Sequence, residues 1–535
     1  MPSFTYPEIP LDGLLRRAAA RDPGGAAVTT EDGTVTFAGL DRAADRIAHW
    51  LAGTSTAVVG VANTLDAVFP AAYYGTARAG RTLALINPLL GEAALGHVCA
   101  TAGVEVAFVP TSVAALLTKI GDRLPRLRTI VVTDSADGVV PGAAVPLDAA
   151  LTAVPEEPDR PYEAPAPDVD AVTCVQFTTG TTGRPKGVRL THRNLVANAA
   201  QIALAHRLDR DSVTLNHLPL YHVMHLNSAV HAGASQVLCR EADPVASLGL
   251  ATRAGATHYY GLPARLHRLA ADDRLGDPHT EGVPAGPRLT AVLSGGTALA
   301  PAAARRLRDA LRVPVVQGYG LAELAPLAHN QRLDADPAPG AVGPPVPGTE
   351  CRVVSLGGRE PVEVWSTGRI QIRGPQVMAG YLGDEPAPVD ADGWLTTGDV
   401  GYLDDTGGLH LVDRLGDVFK YDNELVSPTA VERVLAEDPR VAECIVADWP
   451  DDVHGALVWA GVVLREAPGG HGDPPSGVPG VLDSVAGHAN ARLGHADRIR
   501  RIEALDAVPR NAGGKPDRRE VRRRLRLRAV AQQTV

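Results

Sequence analysis

FTTGTTGRPKG, residues 177–187, holds four threonines, three glycines, one lysine and no acidic side chain. It closes AVTCVQF (171–177), an apolar, β-branched run that reads as a strand. Glycines let a backbone approach an anion closely and turn its N–H groups inward. Threonine hydroxyls add donors, and Lys186 adds a point charge. A polar turn needs two or three such residues, whereas the threonines, glycines and lysine here make eight, so the loop reads as a polyphosphate cradle. It is not a Walker loop, in which Gly, four residues and Gly-Lys-Ser/Thr follow one another, because Lys186 is followed by Gly187.

Outward from this loop the chain alternates short β-rich runs, such as RTIVVTD (128–134) and RLTAVLS (288–294), with helix-like stretches such as APAAARRLRDALR (300–312). That rhythm predicts α/β sheets with ligands at the strand ends. After about residue 412 the texture becomes that of a small α+β unit, with strands at CIVADWP and LVWAGVVL. REAPGGHGDPPSGVPG (465–480) reads as a Pro/Gly-rich loop, and the basic KPDRREVRRRLRLRAV as a helix with a solvated face. No internal repeat is present. With 535 residues, 45% hydrophobic and 21% charged, the chain is long enough for two or more cores. A net charge of −10 argues against nucleic acid as a partner. Cys99, Cys174, Cys239, Cys351 and Cys444 have neither CxxC pairing nor metal-like spacing, which predicts reduced thiols in a cytoplasmic protein. No basic start with an apolar core marks a signal peptide, and no run approaches the ~18 apolar residues of a membrane span.

FTTGTTGRPKG closely resembles the first core motif of the adenylate-forming superfamily, which includes stand-alone acyl-CoA synthetases. Further matches follow in the family's order: LPLYHVMHL (218–226), LSGGTAL (293–299), QGYGLAEL (317–324), GPQVMAGYL (374–382), DGWLTTGDVGYLDD (392–405), VDRLGDVFKYDNELVSP (412–428) and PRNAGGKPDR (509–518). The resemblance covers nearly the whole chain. It implies a large N-terminal AMP-binding domain (1–412) of layered α/β sheets with a small β-barrel-like subdomain. A small, mobile α+β C-terminal domain (413–535) would carry the catalytic lysine.

Family members join a carboxylate to the α-phosphate of ATP, release pyrophosphate, and mostly pass the acyl group to a thiol. By resemblance, Thr178, Thr179, Gly180, Thr181, Thr182, Gly183 and Lys186 hold the β- and γ-phosphates. Gly318, Tyr319, Gly320 and Ala322 form the adenine turn, with Tyr319 stacked on the base. Glu323 would ligate Mg²⁺, a hard cation suited to carboxylate and phosphate oxygens. Asp399 and Arg414 would hold the ribose, and Lys515 would bridge the substrate carboxylate and the α-phosphate. Gly416 and Lys420 belong to the hinge motif, which swings the small domain between the half-reactions. The implied cofactors are ATP, Mg²⁺ and coenzyme A.

Four departures qualify this. Ala322 replaces the threonine before the Mg²⁺-ligating glutamate, which removes a donor to the α-phosphate. Gly416 replaces an Asp or Lys latch. YDNELV replaces a Gly-rich stretch, with Asn423 able to take the left-handed conformation and Asp422 and Leu425 unusual near a thiol tunnel. Ala430 replaces a glutamate. Three of the four touch the second half-reaction, so an enzyme of one half-reaction, working with an acyl carrier protein or a partner ligase, stands beside the complete acid:CoA ligase. A nucleotide-binding protein without turnover would have lost Lys515 or Glu323, and both are present.

His222 occupies the place of the aspartate that pairs the ammonium of amino-acid substrates in amino-acid-activating relatives. An unpaired buried ammonium is costly, so free amino acids are expected to be poor substrates. His222, Val223, Met224, His225, Asn227, Gly295, Gly296 and Thr297 are the pocket candidates. His225 and Asn227 would read the same as core residues. The mixture suits an aromatic or polycyclic acid of bacterial secondary metabolism better than a fatty acid. Neither the acid nor the oligomeric state is named by the sequence.

Overall fold

The computed structural model describes residues 4–533 apart from 136–139, 157–159, 164–167, 179–184, 218–221, 276–287, 337–339, 384–385, 387, 423, 466–477 and 511–515. The chain forms two compact units. The first comprises residues 1–351, 371–395 and 406–409, and the second residues 352–370, 396–405 and 410–535. Residue 412, where the sequence texture changes, lies inside the strand Leu409–Arg414.

In the first unit, Val58–Ala62, Thr82–Ile86, Val106–Val109 and Thr129–Val132 are short runs without polar alternation. Such runs suit parallel strands covered on both faces, and these strands pair in parallel. Val172–Phe177 joins them in parallel beside Thr82–Ile86. The chain then reverses, and Gly187–Thr191 returns antiparallel with Phe177 opposite Gly187. The threonine–glycine segment thus joins two antiparallel neighbours, with Gly380–Tyr381 paired beyond them at the end of the sheet.

A second sheet carries the parallel strands Val213–Asn216, Ser235–Leu238, His258–Gly261, Ala291–Ser294 and Val315–Gly320. Leu327–Asn330 folds back antiparallel on the last of these. Helices Pro244–Arg253, Pro263–Ala271 and Pro301–Leu311 each begin with proline, whose fixed φ suits a first helical turn. Their Leu248, Leu266, Leu269 and Leu307 fill one face of the sheet. Asn216, Gly261, Ser294 and Gly320 therefore end parallel strands at one edge, the position where open α/β sheets bind ligands. The strands expected at 128–134 and 288–294 and the helix at 300–312 appear as Thr129–Val132, Ala291–Ser294 and Pro301–Leu311.

The second unit has its own core. Val441–Asp451 and Gly455–Leu464 form a long antiparallel pair, and Arg501–Ala504 adds in parallel. Helices Pro428–Leu435 and Val478–Asn490 cover the sheet, with Val431, Leu435, Val446, Val458 and Val485 at the contact. The basic helix Arg518–Gln533 buries Val521, Leu525 and Ala529 and exposes its other face, as its composition suggests. All five cysteines are free thiols. Among the described residues no helix is long and apolar enough to cross a membrane.

Candidate active site

The hairpin draws the base of the threonine–glycine loop shut. Thr178 N–H donates to the Lys186 carbonyl at 2.9 Å, and Lys186 N–H donates to Thr178 Oγ1 at 3.2 Å. His97 reaches the Pro185 carbonyl at 3.0 Å. Thr179, Gly180, Thr181, Thr182 and Gly183 lie outside the described residues.

The glycine turn is built by close approach. A Cβ on Gly320 would stand 1.8 Å from the Pro326 carbonyl oxygen, and one on Gly318 would stand 2.7 Å from Leu327 Cδ1. Tyr319 between them is buried, with its ring 5.9 Å from that of His329. The chain then turns through Ala322–Leu324, which sets out Glu323.

Tyr381 joins the two motifs. Its hydroxyl donates to Glu323 Oε1 at 2.8 Å, and Lys186 Nζ lies 5.1 Å from its ring centre. Asn194 holds the Tyr381 segment in place, donating to the carbonyls of Pro375 and Val377, each at 2.8 Å. Met378 N–H donates to the Glu323 carbonyl at 3.0 Å, and Gly380–Tyr381 pairs antiparallel with Gly187–Thr191. Lys186, Tyr381 and Glu323 thus form one half-buried cluster of cation, phenol and carboxylate. Tyr381 was not among the residues singled out from the sequence, although GPQVMAGYL contains it; only the fold brings it to the loop.

The pocket segment opens the helix Val223–Ala232. His222 caps it, accepting from Met224 N–H at 3.3 Å, and its Nε2 lies 3.1 Å from the Gln176 side-chain amide. Gln176 is thereby the link between the strand before the phosphate loop and the pocket segment, a second residue that the sequence did not flag. His225 is buried against Tyr260, with ring centres 4.2 Å apart, and its Nδ1 has no partner among the described residues. Val223 is buried, and Met224 packs beside Ile202, Leu327 and Val346. Asn227 accepts from the Tyr74 hydroxyl at 2.9 Å and donates to the Tyr73 hydroxyl at 3.0 Å, which gives it the core role its type also allowed. Gly295, Gly296 and Thr297 follow the strand Ala291–Ser294, and Gly296 has φ +92°, a conformation that favours glycine.

These histidines are neutral. Burial lowers the His222 imidazole to about 4. Burial also pushes His225 well down, with repulsion from His222, His206 and His217 added. An unfolded histidine titrates near 6.5, so between about pH 6.5 and 4 the unfolded chain binds more protons and stability falls as the pH drops. His222→Gln is therefore expected to shrink the fall in melting temperature between pH 7 and pH 5, as differential scanning fluorimetry would show.

In the second unit, Arg414 Nε lies 3.5 Å from Asp399 Oδ1, and Leu415 N–H donates to the Gly398 carbonyl at 2.9 Å. Asp399 is buried and Arg414 largely exposed. A Cβ on Gly416 would meet nothing within 4 Å. Lys420 stands exposed on the strand Phe419–Tyr421. Asp422 takes φ +47°, in the left-handed region, and accepts from His454 Nδ1 at 2.7 Å. Asn423 and Lys515 lie outside the described residues.

Among the described residues no three His, Cys, Asp or Glu side chains converge as a metal site. A single carboxylate is nevertheless enough for Mg²⁺, which takes one or two carboxylates, substrate phosphates and water. Tyr381 engages one oxygen of Glu323, so the carboxylate keeps a second oxygen for such an ion.

Residues 15–382 match the AMP-binding enzyme family and residues 430–515 match the AMP-binding enzyme C-terminal domain. The chain belongs to the AMP-binding enzymes, the adenylate-forming superfamily that its motifs resemble. It is 29% identical to 4-coumarate–CoA ligase 5 of Oryza sativa subsp. japonica, over 98% of this chain and 96% of the relative. It is 28% identical to a long-chain-fatty-acid–CoA ligase of Bacillus subtilis (strain 168), over 96% and 94%. Among solved structures, an amide bond synthetase from Marinactinospora thermotolerans superposes with a TM-score of 0.80 at 26% identity, covering 96% of this chain and 99% of that one.

Proposed function

We propose that this enzyme activates a carboxylic acid as its acyl-adenylate and passes the acyl group to coenzyme A. The observation that supports the reading is the Lys186–Tyr381–Glu323 cluster at the base of the threonine–glycine loop, a cation and a carboxylate of the kinds that a magnesium–triphosphate needs. An oxygen of the acid attacks the α-phosphorus, and the bond from that phosphorus to the pyrophosphate oxygen breaks. Lys186 offsets charge on the departing pyrophosphate, and Mg²⁺ held by Glu323 supplies further neutralisation when bound. By the family resemblance, Lys515 would bridge the attacking carboxylate and the α-phosphate. Tyr319 stacks on the adenine, and Asp399 accepts from the ribose hydroxyls beside Arg414. Positioning and charge neutralisation are the main tools of phosphoryl-group chemistry.

Ala322 leaves the α-phosphate one hydroxyl donor short. Ala322→Thr is expected to raise the adenylation rate by about tenfold, since a hydrogen bond to a charged group contributes roughly 1.5–3 kcal/mol and ~1.4 kcal/mol is a factor of ten. Pre-steady-state release of pyrophosphate measures it, and an unchanged rate would remove Ala322 from the account.

The acid is an uncharged-tailed aromatic or polycyclic one. Neutral His222 and His225, with Tyr260 beside them, offer hydrogen bonds and ring contact but no carboxylate for an ammonium. Reduced thiols fit a cytoplasmic setting. Coenzyme A as acceptor is supported by the names of the relatives in Oryza and Bacillus. A second reading, adenylation with hand-over to a carrier protein or another nucleophile, is favoured by Gly416, the Asp422 turn and Ala430, and by the likeness to an amide bond synthetase. Mass spectrometry of a reaction with ATP, acid and coenzyme A separates the two. A thioester product supports the first reading, and adenylate without thioester supports the second.

A further inference from the structure

We propose that Tyr381 is a positioning residue for the charges that receive magnesium–ATP, with separate duties for its hydroxyl and its ring. The inference rests on the roles proposed above for Lys186 and Glu323. The hydroxyl donates to Glu323 Oε1 at 2.8 Å and fixes the carboxylate so that its other oxygen is presented to a divalent cation. The ring face holds the Lys186 ammonium 5.1 Å from its centre, so the lysine is oriented before phosphate arrives.

The backbone around Tyr381 is over-determined, as a positioning role requires. Ala379 N–H donates to the Arg189 carbonyl at 2.9 Å, and Leu382 N–H to the Gly187 carbonyl at 2.8 Å. Tyr381 sits opposite Val188 in the register. A Cβ on Gly187 would stand 2.7 Å from Leu382 Cδ1, so the two segments are in contact. The strand that leaves the phosphate loop and the strand that carries Tyr381 therefore move together. Glu323 follows, because Met378 N–H donates to its carbonyl.

The two duties can be separated in the full-length enzyme. Tyr381→Phe keeps the ring and loses the hydroxyl; Tyr381→Leu loses both. The measurement is calorimetric ATP binding, in EDTA and across a Mg²⁺ titration. Tyr381→Phe is expected to bind ATP in EDTA as the wild type does, but to need about tenfold more Mg²⁺ for half of the metal-dependent gain in affinity. Tyr381→Leu is expected to share that shift and also to weaken metal-free binding by about threefold or more. A Phe variant with wild-type Mg²⁺ dependence would overturn the hydroxyl's role. A Phe variant weakened equally with and without Mg²⁺ would reduce Tyr381 to packing. If the Leu variant does not fold, the Phe variant decides the hydroxyl's duty and Tyr381→Met takes the place of the Leu variant in testing the ring. A wild-type chain that binds no ATP would overturn the underlying reading and this inference with it. ATP binding by the wild type with both variants unchanged would overturn this inference alone.

Discussion

Lys515→Ala is expected to lower acid-dependent adenylation by about 10²–10³-fold, the usual effect of deleting one preorganised group that stabilises developing charge. ATP binding should persist, because Lys186, Tyr319 and Glu323 belong to other segments. Thioester formation from synthetic acyl-adenylate should persist too, because the proposed role of Lys515 is confined to forming the adenylate. The chain just beyond Lys515 is well anchored within its own unit. Arg518 makes ion pairs with Glu432 at 2.6 Å and Asp417 at 3.0 Å, and donates to the Val446 carbonyl at 2.8 Å. Arg522 donates to the carbonyls of Gly416 and Asp417. The helix that begins at Arg518 is thereby tied to Gly416 and Asp417 within the same unit. Wild-type adenylation in the Lys515→Ala enzyme would remove the lysine from the mechanism.

Gly320→Ala is the second large effect. The added methyl would stand 1.8 Å from the Pro326 oxygen, 2.7 Å from the Pro326 carbonyl carbon and 3.0 Å from Leu327 Cα. All three are backbone atoms, so no side-chain rotation relieves the clash. The strand pair Gly320–Leu327 and the hydrogen bond from Leu321 N–H to the Pro326 carbonyl must open instead. A loss of about 3 kcal/mol is expected, at the upper end of overpacking, along with loss of ATP binding as Tyr319 and Glu323 shift. Gly416→Ala is the control, because a Cβ there meets nothing within 4 Å and stability should hold. Thermal melts of both variants check the contrast, and equal melting temperatures would contradict it.

Much of the architecture was legible because the signals are local. FTTG follows an apolar strand, APAAARRLRDALR has helical spacing and a proline start, and the five cysteines showed no pattern. What stayed hidden depends on long-range pairing. Arg78 is fully buried among Asp12, Asp41 and Asp45, which lie 66, 37 and 33 residues away, so no local pattern marks it as a core charge. Tyr381 is invisible for the same reason, since its partners Lys186 and Glu323 meet it only through sheet register. Asn227 shows the opposite limit. Its motif position suggests the pocket, yet Tyr73 and Tyr74 on another helix claim both ends of its amide.

Acid-dependent exchange of labelled pyrophosphate into ATP, run over aryl, polycyclic, fatty and amino acids, tests acid activation most directly. Exchange that requires an aromatic or polycyclic acid and Mg²⁺, with free amino acids inactive, is the expected result. ATP binding without exchange for any acid, even after Ala322→Thr, would contradict adenylation as the reaction of this enzyme.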